Sequence, residues 1–276
     1  MKNIKPFNGN CFGFYKEVVS RKKDQDYIRR ISLLSPKVQN RIEEYQNKFA
    51  SALLQIMKEG TFELSERDDL LRLYNYRSTL LQKLKIELTT DEYNRVSNTC
   101  PNCTIGEVNS FDHYLPKIEF PEFVVNPLNL IPCCSQCNSN KNASWRHENN
   151  RLFLNPYIDN LPNVQFLFVD LKILDNGIDL TYFLDPKRGI ASNLFYLIQS
   201  HYAKLNLLER FKQNSDYIIS ELETEIKKYS QYLSIDTIKD TVIEECESNY
   251  RLLGRNNWKL VLKMALVNNA EYMGNF

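Results

Sequence analysis

The densest chemistry in the chain lies between residues 100 and 141. "CPNC" sets Cys100 and Cys103 at C-x-x-C spacing, and "CSQC" repeats it at Cys134 and Cys137 after an interval of thirty residues. Each pair lies on a tight turn, so both of its sulfurs reach one ion without strain. Four thiolates are what a closed tetrahedral Zn²⁺ site requires. Cys133 offers only a poorer C-x-x-x-C geometry and reads as a bystander. A lone C-x-x-C pair can be redox-active, but two pairs flanking no βαβ pattern point to metal, leaving redox chemistry at Cys133-Cys134 the weaker reading. Five of the seven cysteines cluster here, with Cys11 and Cys246 apart and no export signal at the amino terminus, which argues against a disulfide scaffold.

Between the knuckles runs "FDHYLPK", with Asp112 beside His113, and "NPLNLIPCCSQCNSNK" follows, carrying Asn129, Asn138 and Lys141. An Asp-His pair in a zinc knuckle needs no function of its own: the imidazole can donate a hydrogen bond and the carboxylate can cap a turn. The ordered asparagines and lysine around the second knuckle count against that simpler account.

Residues 100–141 resemble the HNH, or ββα-metal, endonucleases in their four-cysteine form. The pattern is C-x-x-C, D-H-x-x-P, N-L and C-x-x-C-[HN]-x-x-K, and it covers about forty residues of the chain. The resemblance implies two strands and a helix around one divalent metal, with Zn²⁺ clamping the base. His113 then resembles the general base, Asp112 and Asn138 the ligands of Mg²⁺ or Mn²⁺, and Asn129 the residue that holds the loop and fixes the imidazole. Neutral imidazole, with a pKa of about 6.5, suits base catalysis near neutrality. Oxygen ligands suit a hard ion and thiolates suit zinc, so ligand type sorts the two metals. Adjacent strand residues face opposite sides, so the backbone is expected to bend at 112–116 for both side chains to serve one phosphate. Lys141 and Lys117 are candidate DNA contacts, set against solvation or charge balance. His147 and His201 lie outside the motif.

The rest of the chain must position these residues. With 43% apolar and 25% charged residues the chain is an ordinary globular sequence, and no apolar run is long enough to span a bilayer, so the cytoplasm is the expected location. Residues 1–58 carry a net charge of +7 and residues 216–247 a net of −6, a possible phosphate footprint or simply solvated helix faces. Three regions are expected: 1–98 helical, 99–160 the nuclease module, and 161–276 a β-hairpin followed by helices. In the first, Ser35-Pro36 reads as an N-cap and first-turn proline, and an apolar stripe runs from Val38 through Ile42, Tyr45, Phe49 and Leu53 to Ile56. A second helix is expected from Ser65, burying Leu70, Tyr74, Leu81, Leu84 and Leu88, and a short third in "TTDEYNRVS". In the third region Asn176-Gly177 marks a hairpin, and helices are expected over 193–208, 216–233, 235–252 and 258–267. Trp145 and Trp258 read as packing residues. The fold class is mainly α with an inserted small α+β module.

Two functions remain open. The first is an HNH endonuclease hydrolysing DNA, or another nucleic acid. The second is a zinc-stapled adaptor that binds nucleic acid or protein and cuts nothing. The order "YLPK…FPEFVVNPLNLIPCCSQCNSNK…FLNPY" is also similar to the nuclease subunits of Septu-type and retron-associated antiphage defence (PtuB-like). That similarity implies recruitment by an ATPase subunit.

Overall fold

The computed structural model describes residues 1–91, 93–186 and 189–276. About half of the chain is helical, and the strands pair as small antiparallel hairpins. No helix among the described residues is long and apolar enough to cross a membrane. The chain forms two compact units, one of Asn3–Asn160 and one of Leu161–Phe276 with Met1–Lys2. Residues on both sides of the expected 98/99 boundary therefore share one unit.

Five helices open the first unit: α1 (Cys11–Ser20), α2 (Gln25–Leu33), α3 (Ser35–Ala50), α4 (Leu64–Leu71) and α5 (Thr79–Thr89). The first two, capped by the side chains of Asn10 and Asp24, lie in the region expected to be helical, though the sequence reading set no bounds for them. In α3 the apolar stripe buries Val38, Ile42 and Tyr45 completely. Ser35 is not its cap. Leu34 holds that position without a side-chain bond, and Ser35-Pro36 form the first turn, where proline's missing N–H costs nothing. The stripe also outruns the helix, which stops at Ala50, so Leu53 and Ile56 lie beyond it and are exposed.

The helix expected to run on from Ser65 is broken at residues 72–78. Asn75 Oδ1 accepts from the Arg77 N–H, and Ser78 Oγ caps α5 by accepting from the Leu81 N–H. Such side chains offer the backbone partners that compete with helix. Tyr74 thus sits on a connection, not on a buried helix face. "TTDEYNRVS" is likewise no helix: Thr90 and Val96 bridge in antiparallel fashion around a turn in which Asp91 Oδ1 accepts from the N–H groups of Tyr93 and Arg95. Glu92 lies outside the described residues.

Strand β1 (Ser110–His113) pairs antiparallel with β2 (Leu130–Cys133), setting Asp112 opposite Ile131 and His113 opposite Leu130. Helix α6 (Ser135–Lys141) follows at once, and β3 (Arg146–His147) and β4 (Asn150–Arg151) form a short hairpin. The helices hold this module through buried polar contacts. Tyr45 Oη donates to the Leu128 carbonyl at 3.1 Å, and Arg41 Nε donates to Glu122 Oε1 at 2.9 Å. Trp145 is buried, with its indole N–H on Glu119 and its ring edge-on to Phe120. His147 is exposed.

In the second unit β5 (Leu167–Leu174) and β6 (Gly177–Leu184) form a hairpin. Leu174 pairs with Gly177, so Asp175-Asn176 form the turn and Gly177, at φ +150°, opens the return strand. Helices α7 (Ser192–Lys204), α8 (Leu207–Gln213), α9 (Ser215–Tyr229), α10 (Ile235–Leu253), α11 (Trp258–Asn268) and α12 (Ala270–Met273) follow. The helix expected over 193–208 is split at Asn206, which adopts φ 51°, and the one expected to reach residue 233 stops at Tyr229. His201 is buried on α7, and Trp258 stacks on Phe211 with ring centroids 5.5 Å apart.

Glu122 is buried, and Arg41 is the cation bonded to it. Arg41→Met is expected to destabilise the chain by about 3 kcal/mol in urea unfolding, because it strands a buried carboxylate. Arg41→Met/Glu122→Gln is expected to recover most of that loss.

Candidate functional site

The sulfurs of Cys100, Cys103, Cys134 and Cys137 all lie within 4.8 Å of one another, and all four residues are buried. The Cys103 and Cys134 sulfurs are 3.8 Å apart. That matches the edge of a tetrahedron with metal–sulfur bonds of ~2.3 Å, about 3.8 Å. The turns that present them are shaped by N–H···S contacts, from Ile105 to Cys103 Sγ and from Cys137 to Cys134 Sγ, each 3.4 Å. Gly106 allows the first turn to press against the second knuckle, since a Cβ there would meet Cys134 Cβ at 3.1 Å. Sulfurs this close compete for protons. Hydrogen bonds from Cys100 favour the thiolate at Cys103 and Cys134, bringing Cys134 down to about 6, while Cys100 and Cys137 are pushed up. A divalent cation removes the conflict by holding all four as thiolates, so the cluster can bind a metal ion such as zinc. Cys133 is not in the cluster; its sulfur lies 3.4 Å from Ser110 Oγ, and burial raises its pKa.

Beside this cluster a cleft of about 500 Å³ is lined by Asp112, His113, Lys117, Asn138, Tyr74 and Tyr76, among others. Adjacent Asp112 and His113 both reach it because β1 ends at His113 and the chain bends at residues 114–115. The imidazole is fixed on two sides. Its Nε2 lies 2.9 Å from the Val124 carbonyl, and the Tyr74 ring meets it edge-on with centroids 4.8 Å apart. A carbonyl only accepts, so the proton is on Nε2 and Nδ1 carries the lone pair. No hydrogen bond to Nδ1 is found among the described residues, and His113 lines the cleft. Burial pushes the His113 pKa down to about 3, with the Val124 carbonyl opposing and Lys117 and Lys141 assisting.

Asp112 is buried, and Lys141 Nζ lies 3.0 Å from its Oδ1. Burial raises the carboxyl pKa while Lys141 pulls it down. Oδ2 makes no hydrogen bond among the described residues, and Asp112 and Asn138 of α6 both line the cleft. Lys141 differs from the sequence expectation. It is buried, donating also to the His113 carbonyl at 2.9 Å, so its ammonium is directed into the protein and not toward a DNA backbone. Lys117 is exposed at the cleft, its ammonium 5.6 Å from the centre of the Tyr74 ring.

Asn129 is fully buried and does not line the cleft. Its Oδ1 accepts from the Leu115 N–H at 2.8 Å, and its Nδ2 donates to the carbonyls of Leu115 and Phe123 at 3.0 and 3.3 Å. It thereby holds the segment that carries the Val124 carbonyl to His113. Sequence reasoning missed the contacts of Tyr74 with His113 and of Tyr45 with Asn129, because helical periodicity accounts for both tyrosines as core. The one available signal was Asn75 with Ser78, a turn-and-cap pair inside the helical pattern.

No family model matches the chain, and no solved structure matches it. The chain is similar to protein ea31 of Escherichia phage lambda, with 25% identity over 189 residues, covering 63% of this chain and 62% of that protein. It thus spans about three-fifths of that relative's length.

The cysteine geometry predicts one tightly bound metal ion per chain, measurable by elemental analysis of purified protein. Cys134→Ser is expected to lose it together with several kcal/mol of stability, on the order of the folding contribution of a structural zinc site. Cys133→Ser is expected to keep the metal.

Proposed function

We propose that the chain is a metal-dependent HNH-type endonuclease that hydrolyses phosphodiester bonds in DNA. The observation that carries the reading is that His113, Asp112 and Asn138 line one cleft. The elements beneath them are an antiparallel strand pair followed at once by a helix, with the four-cysteine cluster alongside.

The donors fit two different metals. Four sulfurs suit Zn²⁺; one carboxylate and one amide oxygen, open to water, suit Mg²⁺ or Mn²⁺. Asp112 and Asn138 would hold such a hard cation, which when bound would supply charge neutralisation at the scissile phosphate and the leaving oxygen. His113 Nδ1 takes a proton from the attacking water, and the resulting imidazolium is steadied by its Nε2–H on the Val124 carbonyl. Tyr74 and Asn129 keep the ring in that orientation. Lys117 offers an exposed charge at the cleft for the phosphate chain.

A second reading, the zinc-stapled adaptor that cuts nothing, draws support from Lys141, which already neutralises Asp112 without any metal. Plasmid cleavage with Mg²⁺ or Mn²⁺ separates the two. The nuclease reading expects cleavage that EDTA abolishes and that His113→Ala lowers by 10²–10⁴-fold, the usual worth of a general base. Cleavage by His113→Ala equal to that of the wild type would dismiss the assigned base, and no cleavage by either would favour the adaptor. The antiphage setting and the ATPase partner rest on similarity to the Septu-type subunits. An ATPase subunit of the Septu type, where one is encoded beside this chain, is expected to form a complex with it that survives size exclusion.

A further inference from the structure

We propose that Lys141 is a built-in counter-cation for Asp112 that sets how strongly a divalent ion is held in the cleft. The inference rests on the nuclease reading for the location of the ion. The Lys141 ammonium lies 3.0 Å from Asp112 Oδ1 and 2.9 Å from the His113 carbonyl, and the side chains of Lys141 and Asp112 are each only 4% exposed. The Phe153 ring, 5.8 Å from Nζ, adds an aromatic neighbour to the ammonium. Lys141 follows Asn138 by three positions on α6, so one side of that helix carries both the amide at the cleft and the ammonium behind the carboxylate.

Two consequences follow from this geometry. A buried carboxylate without a cation is costly to keep ionised, and Lys141 supplies that cation in the absence of metal. Lys141 already bonds Oδ1, and its positive charge beside the carboxylate weakens the hold on a divalent ion by Coulomb repulsion. The same ammonium pins the His113 carbonyl, so the ligand and the base are set by one donor. Lys141 is thus a positioning residue whose charge is coupled to metal binding.

The test uses the full chain, loaded with zinc at the cysteine cluster, with melting followed against Mn²⁺ at pH 8. Wild type is compared with Lys141→Met, with the charge-retaining Lys141→Arg and with Asp112→Asn/Lys141→Met. Lys141→Met is expected to melt lower without Mn²⁺, to gain more from Mn²⁺ than wild type, and to half-saturate at a Mn²⁺ concentration at least tenfold lower. Lys141→Arg is expected to follow wild type. The double variant is expected to recover its melting temperature and to ignore Mn²⁺. Equal Mn²⁺ shifts in wild type and Lys141→Met would reduce Lys141 to a packing role while leaving the nuclease reading intact. No Mn²⁺ shift in wild type would remove the cleft's metal site, and with it both proposals. If Lys141→Met folds only when refolded with zinc and Mn²⁺ together, the proposal stands; if Mn²⁺ does not rescue it, the proposal falls.

Discussion

The arrangement of the cleft depends on one buried carboxamide. Between β1 and β2 the chain makes a long excursion, residues 114–129, with no regular sheet or α-helix to stabilise it. Buried backbone groups in such a segment must find partners, because an unpaired one costs a large part of a kilocalorie or more. Asn129 supplies several at once, bonding both backbone groups of Leu115 and the carbonyl of Phe123, while Tyr45 of α3 bonds Asn129 in turn. The next carbonyl after Phe123, that of Val124, is the one that fixes His113. Position of the imidazole is therefore set by packing that begins in an amino-terminal helix.

This explains why the helical segment and the cysteine-rich segment form one compact unit. The cysteine-rich part has only short strands; its buried apolar side chains, among them Phe111, Phe120 and Phe123, pack together with side chains of α3 and of the 72–78 connection. Arg41 on Glu122, Tyr45 on Leu128 and Tyr74 on His113 are three separate fastenings from α3 and the 72–78 connection onto the loop and strand end. Burial then dictates the electrostatics. An imidazole in this setting is held neutral by desolvation, a carboxylate needs Lys141 nearby, and four thiols crowd until a cation takes their protons' place.

What could be read from residues alone followed how local the physics was. The two C-x-x-C turns, α3 from its apolar stripe, the hairpin around Asn176 and the helices of the carboxy-terminal part each depend on a few neighbouring residues, and each has a counterpart in the structure. Errors arose where side chains competed with helix over a single turn, as at Asn75 and Ser78, or where periodicity continued past a real end, as at Ala50 and Asn206. Helices α1 and α2 were given no bounds although Asn10 and Asp24 are ordinary capping residues, because each helix is only about three turns long.

The sequence by itself determined the type and order of the reactive groups: soft sulfur donors in two close pairs, a carboxylate beside an imidazole, and amides on either side of the second knuckle. These are covalent facts and need no fold. Only the tertiary structure decided which of them meet, and how. It bent the strand after His113 so that neighbours share one cleft, brought Tyr74 from a distant connection to the ring, and turned Lys141 inward to Asp112. The reason is that direction and burial of a side chain depend on contacts between segments far apart in the chain, and neither spacing nor composition encodes those contacts directly.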